Sequence, residues 1–238
     1  MAEGDKGRRG RRAPVGTREP AIRLAGDKQR KPSSRAWLTR QLNDPYVREA
    51  QRRGYRSRAA FKLIELDDRF HFLRRGAKVI DLGAAPGGWI QVAAARVKPG
   101  KAGGGRIVAV DVLPVAPVEG VQILALDVLD PAAPAAIRQA LGGVADVVLS
   151  DMAAPATGHA ATDHIRIMAL VEAAYDFAVS VLAQGGVFVA KVYQGGTEAA
   201  LLARLKRDFA TVRHAKPPAS RAESAEVYVV ALGFRGAA

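Results

Sequence analysis

Lys78-Val79-Ile80-Asp81-Leu82-Gly83-Ala84-Ala85-Pro86-Gly87-Gly88-Trp89 is the stretch from which the rest of the chain can be read. An apolar run that enters a Gly/Pro cluster is the pattern of a buried parallel strand breaking into a tight turn before a helix. Gly83 can take a positive φ at little cost, and Gly87 and Gly88 remove side chains where a ligand must approach the backbone closely. Residues Ile90 to Val97 then have good helix propensity. The free N–H groups and positive dipole end of that helix face the mouth of the turn. The turn reads as a cradle for a nucleotide or cofactor; the plain alternative is an ordinary Gly-rich strand-to-helix connection.

Outward from this turn the pattern is regular. Strands are expected over Lys78–Leu82, Arg106–Val112, Gln122–Leu126, Asp146–Ser150, Val187–Val192 and Glu226–Leu232, with helices over Gly88–Val97, Pro131–Leu141, Thr162–Leu182 and Glu198–Phe209. Alternating strands and helices imply βαβ units in an α/β, doubly wound, mostly parallel sheet. Ligands of such sheets bind beyond the strand C-terminal ends, near the point where strand order reverses. Gly103-Gly104-Gly105 reads as a flexible loop that lengthens the first crossover.

Upstream, Ser34 to Phe70 reads as one or two amphipathic helices, carrying Trp37, Leu38, Leu42 and Tyr46, with Asn43-Asp44-Pro45 as a helix start and Gly54 as a break. Arg48, Arg52, Arg53, Arg56 and Arg58 interleave with Tyr46 and Tyr55, and arginines among aromatics suit phosphate contact and base stacking. The basic character of the chain is concentrated here. Residues 1–58 hold 17 Lys and Arg against 6 Asp and Glu, whereas the remaining 180 hold 19 against 17. Residues 1–33, rich in Arg, Lys, Gly and Pro, cannot bury enough surface to offset ordering entropy, so a disordered polyanion-binding arm is expected there. The domain plan is therefore the arm 1–33 and one domain 34–238, the latter divided into a helical segment 34–75 and a strand-and-helix core 76–238. Cysteine is absent, and the start MAEGDKGRRGRRAP has no apolar core of a secretory signal. A cytoplasmic protein without a membrane span is expected.

Carboxylates recur where the apolar strands stop. Asp81 sits beside the Gly turn, Asp111 ends IVAVD, Asp127 follows ILAL and Asp151 follows VVLS. An acid at the end of the second strand is placed to accept from ribose hydroxyls. One at the end of the third could accept from an adenine amino group. A dinucleotide fingerprint would need Gly where Ala85 stands, and no P-loop lysine follows the glycines. Lys191 lies inside the apolar run GGVFVAKVY, Lys62 inside AAFKLIEL, and Glu226 opens EVYVVALGF. Lysine is rarely buried without a partner or a task, and a structural salt bridge is the ordinary partner.

Lys62, the Asp81–Trp89 turn, Asp151, Lys191 and Glu226, in this order, resemble the Lys-Asp-Lys-Glu tetrad and cofactor loop of the FtsJ-like ribose 2'-O-methyltransferases. The resemblance runs from about Trp37 to Phe234 and takes in SRAAFKL, DLGAAPGGW, LSDMAAPATG, AKVYQGG and SRAESAEVYVVALG. The basic tail, the KAGGG insertion and an extra Ala between Asp151 and Pro155 depart from the pattern. The resemblance implies a Rossmann-like methyltransferase fold with an antiparallel last strand, and S-adenosyl-L-methionine as cofactor without a metal. It implies that Gly83, Pro86, Gly87, Trp89, Asp81, Asp111, Asp127 and Asp151 bind that cofactor and that Lys191 accepts the proton, with Lys62, Asp151 and Glu226 around it. The implied substrate is a uridine ribose in the aminoacyl-site loop of 23S rRNA, met in the large ribosomal subunit or its precursor, with the enzyme acting as a monomer. Arg48, Arg52, Arg53, Tyr55, Arg56 and Arg58 are the candidate RNA contacts. The same tetrad would serve a transfer RNA or an mRNA cap, and the same fold could serve a non-catalytic assembly factor.

A ribose hydroxyl is a weak nucleophile that must lose its proton as the new bond forms. An ordinary lysine, with a pKa of about 10.4, is mostly charged and cannot take that proton. A neighbouring cation and burial disfavour the charged form, and neighbouring carboxylates favour it. Lys62 is expected to act on Lys191 in the first sense, Asp151 and Glu226 in the second.

Overall fold

The computed structural model describes residues 38–39, 41–154, 157–193 and 199–236. The arm 1–33, Trp37, Pro155, the QGG end of AKVYQGG and Glu198 lie outside the described residues. Thirteen labelled elements follow in order: α1 (Pro45–Arg52), α2 (Ala59–Phe70), β1 (Lys78–Leu82), α3 (Gly88–Val97), β2 (Arg106–Asp111), β3 (Val121–Ala125), α4 (Ala133–Leu141), β4 (Ala145–Ser150), α5 (Ala160–Val181), β5 (Leu182–Tyr193), α6 (Ala199–Asp208), β6 (Phe209–Ala215) and β7 (Glu226–Phe234). The strands form one seven-stranded sheet in the order β3-β2-β1-β4-β5-β7-β6. β1 to β5 are parallel where they pair, while β7 runs antiparallel to both β5 and β6. Order reverses between β1 and β4, which opens a crevice at their C-terminal ends.

Two departures from expectation have simple causes. β6, FATVRHA, is an edge strand that buries only Phe209 and Ala215, so it lacks the apolar alternation by which a half-buried strand is recognised. The Gly103–Gly105 segment is bonded into the fold: the Gly104 N–H donates to the Lys101 carbonyl at 2.8 Å, and the Gly105 N–H to the Val97 carbonyl at 3.2 Å. At the N-terminal side, Asp44 caps α1 by accepting from the Tyr46 N–H at 3.0 Å, with Pro45 at the first helical position. Among the described residues, no helix is long and apolar enough to cross a membrane.

The sheet is buried on both faces, and the two-residue period of a strand sorts its side chains between them. Ile80, Leu82, Val108, Val110, Phe188, Ala190 and Val229 face α4, α5 and α6. Val79, Ile107, Val147, Leu149, Val187, Val189, Tyr228 and Val230 face α2 and α3. Counting on by two places Asp81, Asp151, Lys191 and Glu226 on this second face. α2, which carries Lys62, packs on the same face. One face of the sheet thus gathers every member of the expected tetrad at the crevice.

Candidate active site

Lys191 is 7% exposed and Lys62 9%. Each has its own carboxylate. The Lys191 Nζ lies 3.2 Å from Asp151 Oδ1 and donates to the Asp151 carbonyl at 2.8 Å. The Lys62 Nζ lies 2.5 Å from Glu226 Oε1, which also accepts from the Ser220 hydroxyl at 3.0 Å. Two buried cations and two carboxylates therefore form two ion pairs.

Between the pairs stands Tyr228, which the sequence reading did not single out. It is directly opposite Lys191 in the β5–β7 register, and its hydroxyl donates to Asp151 Oδ1 at 2.8 Å. The Lys62 ammonium sits 5.8 Å from its ring centroid, and the Trp89 ring packs on it at 5.7 Å. Burial first, then the charges of Asp151 and Glu226, push the Tyr228 phenol well above its ordinary value, so it remains a donor. The available signal was the strand period: two residues beyond Glu226 lies the same face of the sheet. Replacing Tyr228 by Phe is expected to cost roughly 1.5–3 kcal/mol of stability in urea unfolding, the usual worth of a hydrogen bond to a charged group. A variant as stable as the wild type would mean that the hydroxyl contributes nothing to holding Asp151.

The cofactor turn leaves β1 with Gly83 at φ 75°, and a Cβ there would come within 2.6 Å of Met152 Cγ and 3.1 Å of Met152 Cα. Only glycine fits both the conformation and the space. Pro86 follows a cis peptide bond. Asp81, 1% exposed, has no hydrogen-bond partner on either oxygen among the described residues. Burial, and then Asp151 and Asp111, push its carboxyl well above the usual range. Asp111 Oδ2 accepts from the Ala85 N–H and Oδ1 from the Leu113 N–H, both at 2.8 Å. A carboxylate offers about four acceptor positions, so capacity is left for a ligand. Asp127 is exposed two residues beyond β3, with Oδ1 accepting from the Leu129 N–H at 2.9 Å. Val112, Leu113 and Leu129 are 66%, 62% and 59% exposed beside these two acids. An unpartnered buried carboxylate, acids with spare lone pairs and bare apolar side chains beside them fit a cofactor with a cationic end, a sugar and a flat base. Trp89 is turned inward, its Nε1–H donating to the Ala59 carbonyl at 2.9 Å, so its side chain locks the turn to α2.

The candidate RNA contacts divide into two kinds. Arg48, Arg52 and Arg53 lie on or just past α1, where Arg52 and Arg53 both bond Glu49 and hold its carboxyl down at about 2. Pairs this exposed contribute little and leave the guanidinium groups open to phosphate. Tyr55 packs edge-on against Phe61 at 5.7 Å. Arg58 is turned into the protein, 3.1 Å from Asp44 and donating to the Ala219 carbonyl at 2.6 Å. Arg56 lies across Gly87 and donates to the Ala116 and Pro117 carbonyls.

The profile of the FtsJ-like methyltransferases matches residues 55–234. Ribosomal RNA large subunit methyltransferase E of Paramagnetospirillum magneticum is 61% identical over 222 residues, covering 93% of this chain and 91% of that protein. The protein of the same name from Azorhizobium caulinodans is 59% identical over 217 residues, covering 91% and 90%. Among solved structures, a Plasmodium falciparum chain described as a ribosomal RNA methyltransferase superposes with a TM-score of 0.68 at 30% identity, covering 77% of this chain and all of that one.

Proposed function

Because the chain belongs to the FtsJ-like methyltransferase family, we propose that it methylates a uridine ribose 2'-hydroxyl in the aminoacyl-site loop of 23S rRNA. The methyl donor is S-adenosylmethionine, and the substrate is the large ribosomal subunit or its precursor late in maturation. The observation that carries this reading is the convergence of Lys191, Asp151, Lys62 and Glu226 on one face of the sheet, beside a turn with an unpartnered Asp81. The names of the curated relatives support large-subunit rRNA as the substrate.

When bound, the cofactor supplies a methyl group on a sulfonium, an electrophile with a good leaving group that needs no further activation. The protein's share is alignment and the handling of one proton. Asp81 receives the cationic amino-acid end, Asp111 the ribose hydroxyls and Asp127 the adenine amino group, while Gly83, Pro86, Gly87 and the Trp89 backbone line the turn. Asp151 belongs to the tetrad and borders the turn. Its carboxylate and carbonyl fix the Lys191 Nζ from two directions, so that the amine, after releasing its own proton to solvent, takes the O2' proton without searching for its position. Lys62, held by Glu226, supplies a fixed positive charge beside the oxygen from which that proton departs.

Residues 34–75 form the RNA-facing segment of this reading, 76–238 the core and 1–33 a basic arm that adds phosphate contacts. Deleting residues 1–33, which hold ten Lys and Arg, is expected to weaken RNA binding and flatten its dependence on salt. Each phosphate that the arm no longer neutralises lowers the log–log slope by roughly 0.7–0.9. Binding of S-adenosylhomocysteine by calorimetry should be unaltered, and an unchanged salt slope would remove the arm from the binding surface.

The function is tested by transfer of labelled methyl to purified large subunits lacking the modification, beside free rRNA and tRNA. Label on one uridine ribose of the subunit is expected. Label on tRNA alone would keep the chemistry and move the substrate. No label, with cofactor bound, would favour an assembly factor on the same fold.

A further inference from the structure

We propose that Arg56 is a positioning residue for the cofactor pocket, clamping the segment after Asp111 onto the cofactor turn. Its place in the sequence is among the arginines expected to contact phosphate. The geometry gives its side chain a different task.

The guanidinium of Arg56 donates from Nη1 to the Ala116 carbonyl at 2.6 Å and from Nη2 to the Pro117 carbonyl at 2.7 Å. Those two consecutive carbonyls belong to the connection from β2 to β3, which begins at Asp111 and carries the exposed Val112 and Leu113. Donors on an ionised group make the stronger hydrogen bonds, and a planar fork that reaches two adjacent acceptors fixes direction as well as distance. The same connection is held from beneath by Val115 and Val118, packed on Ala84, Ile90 and Ala109. Arg56 closes it from above.

The base of the clamp is equally well fixed. The Arg56 N–H donates to Gln91 Oε1 at 2.8 Å, and Gln91 Nε2 donates back to the Gly54 carbonyl at 2.9 Å. Gln91 lies in the first turn of α3, directly after the cofactor turn. A Cβ on Gly87 would come within 2.4 Å of Arg56 Nη1 and 3.1 Å of Arg56 Cδ; one on Gly88 would come within 2.4 Å of Ser57 Oγ. The bare faces of Gly87 and Gly88, which suggested a ligand's approach, are filled by the chain's own Arg56 and Ser57. The clamp therefore joins three parts of the pocket: the turn after β1, the first turn of α3 and the segment bearing Asp111. Its loss would free the ribose-side wall while the tetrad, on the other side of the turn, keeps its ion pairs.

The inference rests on the proposed cofactor, and the experiment separates the two. Wild type, Arg56→Ala and Arg56→Lys are compared in four measurements: calorimetric binding of S-adenosylhomocysteine without RNA, hydrogen exchange of the 112–118 amides in the ligand-free protein, the salt slope of RNA binding, and steady-state methyl transfer at varied cofactor. Arg56→Ala is expected to weaken S-adenosylhomocysteine about tenfold, which is the loss of roughly one net hydrogen bond. It should speed loop exchange about tenfold, raise KM for the cofactor while leaving kcat within about twofold, and leave the salt slope unaltered. Arg56→Lys, a point charge without the fork, should recover part of the affinity. A salt slope lowered by about one unit, with ligand affinity and loop exchange both unaltered, would make Arg56 a phosphate contact and overturn the clamp. A wild type that binds no S-adenosylhomocysteine would overturn the cofactor reading and the positioning role together. Normal wild-type binding with an unaltered Arg56→Ala variant would overturn only the latter.

Discussion

Lys191→Ala is expected to lower single-turnover methyl transfer by about 10²–10⁴-fold at saturating cofactor, the range over which a positioned base contributes to a rate. Binding of S-adenosylhomocysteine should change little, because the lysine bonds Asp151 and stands opposite Tyr228. The informative companion is Lys191→Arg. Arginine keeps the positive charge and can still pair with Asp151, but it stays protonated at any pH a protein survives. If Lys191 takes the proton, the Arg variant is as slow as the Ala variant. If the residue serves only as a cation, Arg restores most of the rate. Removing the ammonium also leaves the Asp151 carboxylate, 18% exposed, with the Tyr228 hydroxyl as its remaining side-chain donor among the described residues. Breaking a buried ion pair on one side commonly costs about 3–5 kcal/mol. The Ala variant must therefore be assayed below its own unfolding transition, and the Arg variant controls for that cost because it retains a cation at the same place. A Lys191→Ala protein with near-normal single-turnover rate would remove the residue from proton transfer.

The elements that were legible in advance are those whose signal is local. β1 and α3 have the boundaries read from the apolar run and the glycines, since both flank the same turn. Asp44 and Pro45 start α1 because a cap and a fixed φ act within three residues of chain. Lys62 and Lys191 were legible for a different reason: charged residues inside apolar runs are costly enough to stand out even before their partners are known, while their grouping with Asp151 and Glu226 rested on the family resemblance. What stayed hidden depends on contacts between segments far apart in sequence. Lys62 meets Glu226 across 164 positions of chain, and nothing in AAFKLIEL names that partner over Asp151. Tyr228 looked like one more aromatic in a β-rich run, because its hydroxyl acquires meaning only from the antiparallel register that sets it opposite Lys191. Gly87 and Gly88 announced that something lies close to the backbone, but a glycine does not say whether the visitor is a ligand or the chain itself. Edge strand β6 was missed because most of its side chains reach water, and its sequence has no reason to alternate.

Asp81→Asn should move binding and stability in opposite directions, an outcome that few other positions would give. The carboxylate is buried beside the sheet's crevice with neither oxygen bonded among the described residues, and two further carboxylates act on it. Such a group is expensive while it is charged: leaving a buried polar atom unsatisfied costs roughly 1–3 kcal/mol, and more for an ion. A neutral amide of the same shape avoids most of that cost, so the ligand-free variant is expected to be more stable than wild type at neutral pH. For a domain of this size each kcal/mol corresponds to roughly 2–4 °C in Tm. The pH dependence fixes the sign. Since the folded-state value of Asp81 is raised above its ordinary 3.8, folding favours the protonated form. That favourable contribution is fully present below the unfolded value and is lost as pH rises through the folded one. The stability advantage of the Asn variant should therefore vanish in acid and grow towards neutrality. Saturating S-adenosylhomocysteine should reverse the order, because a cationic amino group in the turn supplies the partner that the carboxylate lacks and the amide cannot equally use. Affinity is expected to fall about 100-fold, corresponding to the loss of one charge-assisted bond. Parallel stability curves for the two proteins would mean that Asp81 titrates alike in the folded and unfolded chain, and an unchanged affinity would place the ligand's cation elsewhere. Opposite shifts would identify the strain at Asp81 as the part of the fold that cofactor binding relieves.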